Sequence, residues 1–124
     1  MGDPEPIDFG ILADAGFPLE TYETGQKIFV AEDPAACLYV VKSGRIEIVS
    51  YGTVLDSVGP HDIFGEMSLI DGGVRSATAV AAEPSIVAPV NREAFIYLVQ
   101  RNPDFALQVM RVLVKRIRGM NESL

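Results

Sequence analysis

Chemistry-bearing residues gather between Phe64 and Thr78, in the run Phe64-Gly65-Glu66-Met67-Ser68-Leu69-Ile70-Asp71-Gly72-Gly73-Val74-Arg75-Ser76-Ala77-Thr78. Gly65 lets the backbone come close to a ligand, and the residues after it, 66–70, suit one or two helical turns. Amides at a helix start have no partner within the helix and favour an anion. Asp71, Gly72 and Gly73 make a flexible link. The segment from Val74 then returns as a strand that can set Arg75 opposite those amides. A guanidinium fork facing amide donors makes a cradle for one phosphate. Glu66 beside a phosphate is repelled unless it accepts a hydrogen bond from a neighbouring hydroxyl, and a ribose carrying a cyclic phosphate presents that pair of groups.

Taken singly, these residues mean less. Glu66 by itself reads as an acidic side chain favoured by a helix start, and Arg75 by itself as a solvated strand residue. Ser76 is also explained by packing. The chain has one His and one Cys. His61 has no second ligand at metal spacing, and Cys37, at an apolar strand start, reads as a small core residue. A metal-dependent enzyme on a double-stranded β-helix needs several His and a carboxylate, which one His cannot supply, and no nucleophile–base arrangement stands out. The expectation is no enzyme, no metal and no cofactor.

The elements that must position these groups form a β-rich middle with helices at its ends. Residues 19–90 read as short strands between turn signals. Residues 38–42 and 45–49 flank Ser43-Gly44, a candidate tight hairpin. Tyr51-Gly52, Gly59-Pro60 and Glu83-Pro84 mark further breaks, and residues 74–82 and 85–90 supply two late strands. Such spacing suits a small sandwich, roll or barrel. Residues 7–16 form a short predicted helix after a loose leader, 1–6. From Asn91 the period becomes helical, with Asn91 as N-cap. A second helix opens at Asn102-Pro103, with an apolar stripe of Phe105, Val109, Val112, Leu113, Ile117 and Met120. Arg111, Lys115 and Arg118 lie off that stripe and read as a solvated face. The layout is α+β and mainly β.

With 124 residues and 48% hydrophobic content, the chain fits a single domain, 1–124. Its formal net charge of −7, from 10 basic and 17 acidic residues, repels polyanions and argues against nucleic acid or an anionic membrane as partner. A lone cysteine rules out an internal disulfide and suits a reducing compartment. The start is acidic and proline-bearing, without a signal pattern, and the expected location is the cytoplasm.

The run from Phe64 to Thr78 resembles the phosphate-binding cassette of cyclic nucleotide-binding domains, the fold of the catabolite activator protein, protein kinase A regulatory subunits and cyclic-nucleotide-gated channels. The matching halves are Phe64-Gly65-Glu66 and Arg75-Ser76-Ala77-Thr78. Gly25 to Phe29, Leu38-Tyr39, Ser43-Gly44, Gly59-Pro60 and Phe95 to Pro103 also sit where the family has equivalents. The resemblance implies an eight-stranded, jelly-roll-like β-roll over 19–90, with the cassette at 64–78 and lid helices over 91–121. It implies that Arg75 holds the cyclic phosphate, Glu66 accepts from the ribose 2′-hydroxyl, and Gly65, Met67 and Ser68 offer amides. Ser76 would add a hydroxyl, Val74 a wall for the base, and Ile117, Met120 and Asn121 would reach the base from the last helix. Members usually carry glycine where this chain has Glu32 and His61, two departures expected to leave the phosphate cradle untouched. The resulting expectation is a sensor for cAMP ahead of cGMP, monomeric or weakly dimeric, whose last helix closes on the ligand. Ending at Leu124, it would signal through a partner or a separate effector. The alternative is a degenerate roll that binds a protein and no nucleotide.

Overall fold

The computed structural model describes residues 18–123, and the side chains of these apart from 71 and 119–123. The leader at 1–6 and the helix at 7–16 lie outside the described residues. Eight strands are present: β1 (Glu20–Tyr22), β2 (Lys27–Phe29), β3 (Cys37–Ser43), β4 (Ile46–Ser50), β5 (Thr53–Val58), β6 (Ile63–Phe64), β7 (Thr78–Ala81) and β8 (Ser85–Asn91). Between β6 and β7 lies α1 (Glu66–Asp71), and after β8 come α2 (Arg92–Arg101) and α3 (Asp104–Ser123). The strands form two four-stranded antiparallel sheets, ordered β1-β8-β3-β6 and β2-β7-β4-β5. The mainly β roll with helices after it is therefore the fold.

β3 shows how the layers join. Its residues Leu38, Val40 and Val41 are fully buried, because both of its faces are covered. Leu38 and Val40 pack with Ala88 and Val90 of β8 against Leu98 of α2 and Phe105, Val109 and Val112 of α3. Val41 faces the other way, into the space between the sheets, with Ile46, Val58, Phe64, Ala79, Ala81 and Val87. Alternation along one strand thus feeds two cores.

The Ser43-Gly44 bend is a corner between sheets and makes no hairpin. β3 pairs with β8 and β6, whereas β4 pairs with β5 and β7. Gly44 has φ 90°, and a Cβ there would lie 2.2 Å from the Ser85 hydroxyl oxygen and 2.5 Å from the Pro84 carbonyl. The chain turns from one sheet to the other by pressing glycine against the start of β8. The real hairpin joins β4 to β5 through Tyr51 (φ 49°) and Gly52 (φ 77°), the paired positive φ values of a type I′ turn. β7 begins at Thr78, later than the expected 74, and Val74 makes only an isolated bridge to Pro34. Asn91 caps α2 by accepting from the Ala94 amide at 2.8 Å. No helix among the described residues is long and apolar enough to cross a membrane.

Candidate functional site

The backbone of the cassette is held at three points. Gly65 leaves β6 with φ 76° and sets the start of α1, whose first turn has no side-chain cap. Gly72, also at φ 76°, ends the helix and donates its amide to the Ser68 carbonyl at 2.9 Å. The buried Ser68 hydroxyl donates to the Val74 carbonyl at 3.1 Å, tying helix to return limb. That limb is in turn bonded to the β2–β3 loop. The Arg75 amide donates to Asp33 (2.9 Å), and the Arg75 carbonyl accepts from the Glu32 amide (2.8 Å). The Thr78 hydroxyl accepts from the Ala31 amide at 3.1 Å.

Glu32 is thus tied to the cradle through its main-chain amide, a bond in which its side chain takes no part. It stands at φ 75° and His61 at φ 70°, the left-handed region in which glycine is unstrained. The family's usual glycine explains the geometry, and this chain places a side chain at each position.

Arg75 is 3% exposed. Its Nη1 donates to the Gly65 carbonyl at 2.8 Å and its Nη2 to the Cys37 carbonyl at 2.5 Å. The guanidinium lies 4.1 Å from the centroid of the Phe29 ring and 5.7 Å from that of Tyr39, within the range of cation–π attraction. Tyr39 stacks on Phe64 at 5.0 Å. Burial, then a hydrogen bond with Cys37, holds the Tyr39 phenol well above its ordinary pKa. Among the described residues no carboxylate pairs with Arg75, and its Nε is buried without a hydrogen-bond partner. A buried cation with an unmade donor is costly, and the unbalanced charge sits beside the uncapped start of α1.

Glu66 is 5% exposed. Its Oε1 accepts from Nη1 of Arg116, on α3, at 2.6 Å. The same guanidinium donates from Nη2 to the Ile63 carbonyl and lies 3.4 Å from both Asp62 and Asp56. Arg116 is not among the site residues that the sequence points to. Its signal was available: it follows Val112 by four residues and Leu113 by three, so it shares the inward face of α3. Ile117, expected on that face, is 56% exposed, because the stripe turns through Arg116 instead.

These contacts join Arg75 to Gly65 and Ser68 to the limb that carries Arg75, while Glu66, next to Gly65 in the chain, is bonded to Arg116. Met67, Val74 and Ser76 sit in the same segment with exposed side chains. The side chains of Met120 and Asn121 lie outside the described residues. A groove of about 680 Å³ opens elsewhere, lined by Pro18, Cys37, Pro89, Asn91 and Tyr97 among others. It touches the cradle only through Cys37, whose carbonyl holds Arg75. Charge chemistry, more than cavity size, marks the site. No group of His, Cys, Asp and Glu among the described residues could hold a metal ion.

A family profile for the Cyclic nucleotide-binding domain matches residues 19–102. The chain is 36% identical over 126 residues to the Cyclic AMP receptor protein of Thermus thermophilus, covering 98% of this chain and 57% of that one. It is 29% identical to the CRP-like cAMP-activated global transcriptional regulator of Mycobacterium tuberculosis, over 97% of this chain and 55% of that one. Among solved structures, the Thermus thermophilus Catabolite Activator Protein superposes with a TM-score of 0.78 at 35% identity, over 90% of this chain and 55% of that one. The chain thus spans about half the length of the curated relatives it matches. With the Phe64–Thr78 segment folded around one buried arginine and one buried glutamate, these matches show that the chain belongs to the cyclic nucleotide-binding domain family, of the catabolite activator type.

Proposed function

We propose that this domain is a sensor for cAMP rather than a catalyst, and that it works in the cytoplasm as the input half of a signalling device. The observation that carries the reading is Arg75: a buried guanidinium, unpaired with any described carboxylate and with Nε unbonded, set against the uncapped start of α1. A guanidinium has more N–H donors than two carbonyls can absorb, so Arg75 keeps its backbone anchors while the remaining donors receive the cyclic phosphate. Gly65, Met67 and Ser68 add amides from the start of α1. Glu66 takes the ribose 2′-hydroxyl, Ser76 lends its hydroxyl, and Val74 lies against the base. The end of α3 comes toward the base as that helix tightens on the cassette. The contact of Arg116 with Glu66 supports a role for α3 in closure, since a ligand at Glu66 is felt by that helix. Preference for cAMP over cGMP is supported by the names of the Thermus and Mycobacterium relatives. Output rests with a partner or with a region outside these residues.

Calorimetric titration with cAMP and cGMP tests the proposal, together with thermal melting. A ligand held at ~100 times its dissociation constant adds about 2.7 kcal/mol of stability, and the midpoint rises. Failure of every cyclic nucleotide to bind or to raise the midpoint overturns the reading and favours a protein-interaction role for the roll.

A further inference from the structure

Phe29 stands where a regular strand would not put it. Along β2, Lys27 pairs with Val80 and Phe29 with Ala79, so two residues of β2 advance against one of β7. That step is a β-bulge at Ile28. A regular pleat would leave Phe29 on the same face as the exposed Lys27. With the bulge, Ile28 and Phe29 both pack against the core between the sheets. The extra residue turns an aromatic side chain inward, and it arrives against a cation. The Phe29 ring centroid lies 4.1 Å from the Arg75 guanidinium, nearer than that of Tyr39 at 5.7 Å. Phe29 is also 6.0 Å from the rings of both Tyr39 and Phe64. β2, β3 and β6 thus each give one ring to a cluster that spans the two sheets.

We infer that Phe29 is a positioning residue of the phosphate subsite: its ring face holds the Arg75 guanidinium in place before any ligand arrives. The inference rests on the nucleotide reading above and deepens it. Arg75 is 3% exposed and meets no carboxylate among the described residues. Two backbone carbonyls take Nη1 and Nη2 at the edge of the guanidinium, and the negative face of a ring supports its plane. A carboxylate in that place would neutralise Arg75 and compete with a phosphate. An aromatic ring steadies the cation and leaves its net charge for the anion. An aliphatic side chain at residue 29 keeps Arg75 buried but withdraws the attraction. The fraction of molecules with the guanidinium in place then falls, and apparent affinity falls with it.

The test replaces Phe29 by mono-, di- and trifluorinated phenylalanine at that single position, with F29L beside them. Fluorine drains negative charge from the ring face stepwise at nearly constant shape. Titration with cAMP reads affinity, and thermal melting reads the ligand-free protein. The dissociation constant should rise at each step, reaching about tenfold for the trifluorinated ring and for F29L. The ligand-free melting midpoint should fall along the same series. A packing role predicts a different course, because fluorine makes the ring more apolar: the midpoint holds or rises, and affinity keeps its parental value with all three rings. That result overturns the inference and leaves the nucleotide reading intact, as does tighter binding by the trifluorinated protein. In an R75M background the melting trend should vanish, and its persistence refutes Arg75 as the cause. Should F29L or R75M fail to fold, the fluorinated series in the parent decides. Absence of cAMP binding by the parent overturns the nucleotide reading and this inference with it.

Discussion

Gly65 and Arg75 constrain each other at the closest approach in the cassette. A Cβ on residue 65 would lie 2.6 Å from Nη1 of Arg75 and 3.3 Å from the Phe29 ring, on a backbone at φ 76°. Gly65→Ala is expected to lose about 1–2 kcal/mol from the left-handed backbone alone. It should also displace the guanidinium, so that urea unfolding shifts and cAMP affinity falls together. Arg75→Ala should weaken cAMP at least about tenfold, because it removes the charge that faces the phosphate; equal affinity in the titration would refute that role. Most of this chemistry was legible in the sequence, since a Phe-Gly-Glu start and an Arg-Ser-Ala-Thr return are local patterns. Arg116 was not, because a basic residue in a helix carrying several of them looks solvated until the helix is docked. Its spacing from Val112 and Leu113 was the available clue, outweighed by a stripe drawn through Ile117.

Elements reveal where local rules mislead. Ser43-Gly44 has the composition of a hairpin turn, and its neighbours are strand-like on both sides. The partner that makes it a corner is Ser85, whose hydroxyl accepts from the Arg45 amide at 3.2 Å, forty residues along the chain. No local pattern encodes that approach. The Glu32 turn gives a second case, in which the sequence showed the departure from glycine but not its attachment to Arg75. Glu32→Gly should relieve the strained backbone while keeping the amide bond to the Arg75 carbonyl. A gain of up to about 1 kcal/mol is expected from chemical denaturation; a loss would mean that the Glu32 side chain stabilises the loop. On α3, Leu107, Met110, Val114 and Ile117 are 45–56% exposed and recur at spacings of three and four, the seam pattern of paired helices. Self-association along this face is expected, and sedimentation should show the Leu107→Lys, Val114→Lys double variant shifted toward monomer. An unchanged profile would refute pairing through that seam.

Across the roll, two tyrosines are held neutral beyond the ordinary range of a phenol. Burial, then the hydrogen bond its hydroxyl donates to Glu20, pushes the Tyr22 pKa from 10.0 up to about 12, and Tyr39 is raised as well. An unfolded chain therefore releases these protons at lower pH than the native one. The stability contributed by Tyr22 is present below pH 10 and is lost as pH rises from there to about 12. Urea midpoints followed across that window should fall, and Tyr22→Phe should flatten part of the decline; an identical slope in the variant would refute the assignment. The order of the strands has another consequence. β8 lies between β1 and β3, and β7 between β2 and β4, so each sheet takes a central strand from late in the chain. A nascent polypeptide that has emerged only as far as residue 77 has neither, and its early strands wait with their edges bare. The β4–β5 hairpin and the β3–β6 pair need neither, but both sheets stay incomplete until residue 91 clears the ribosome.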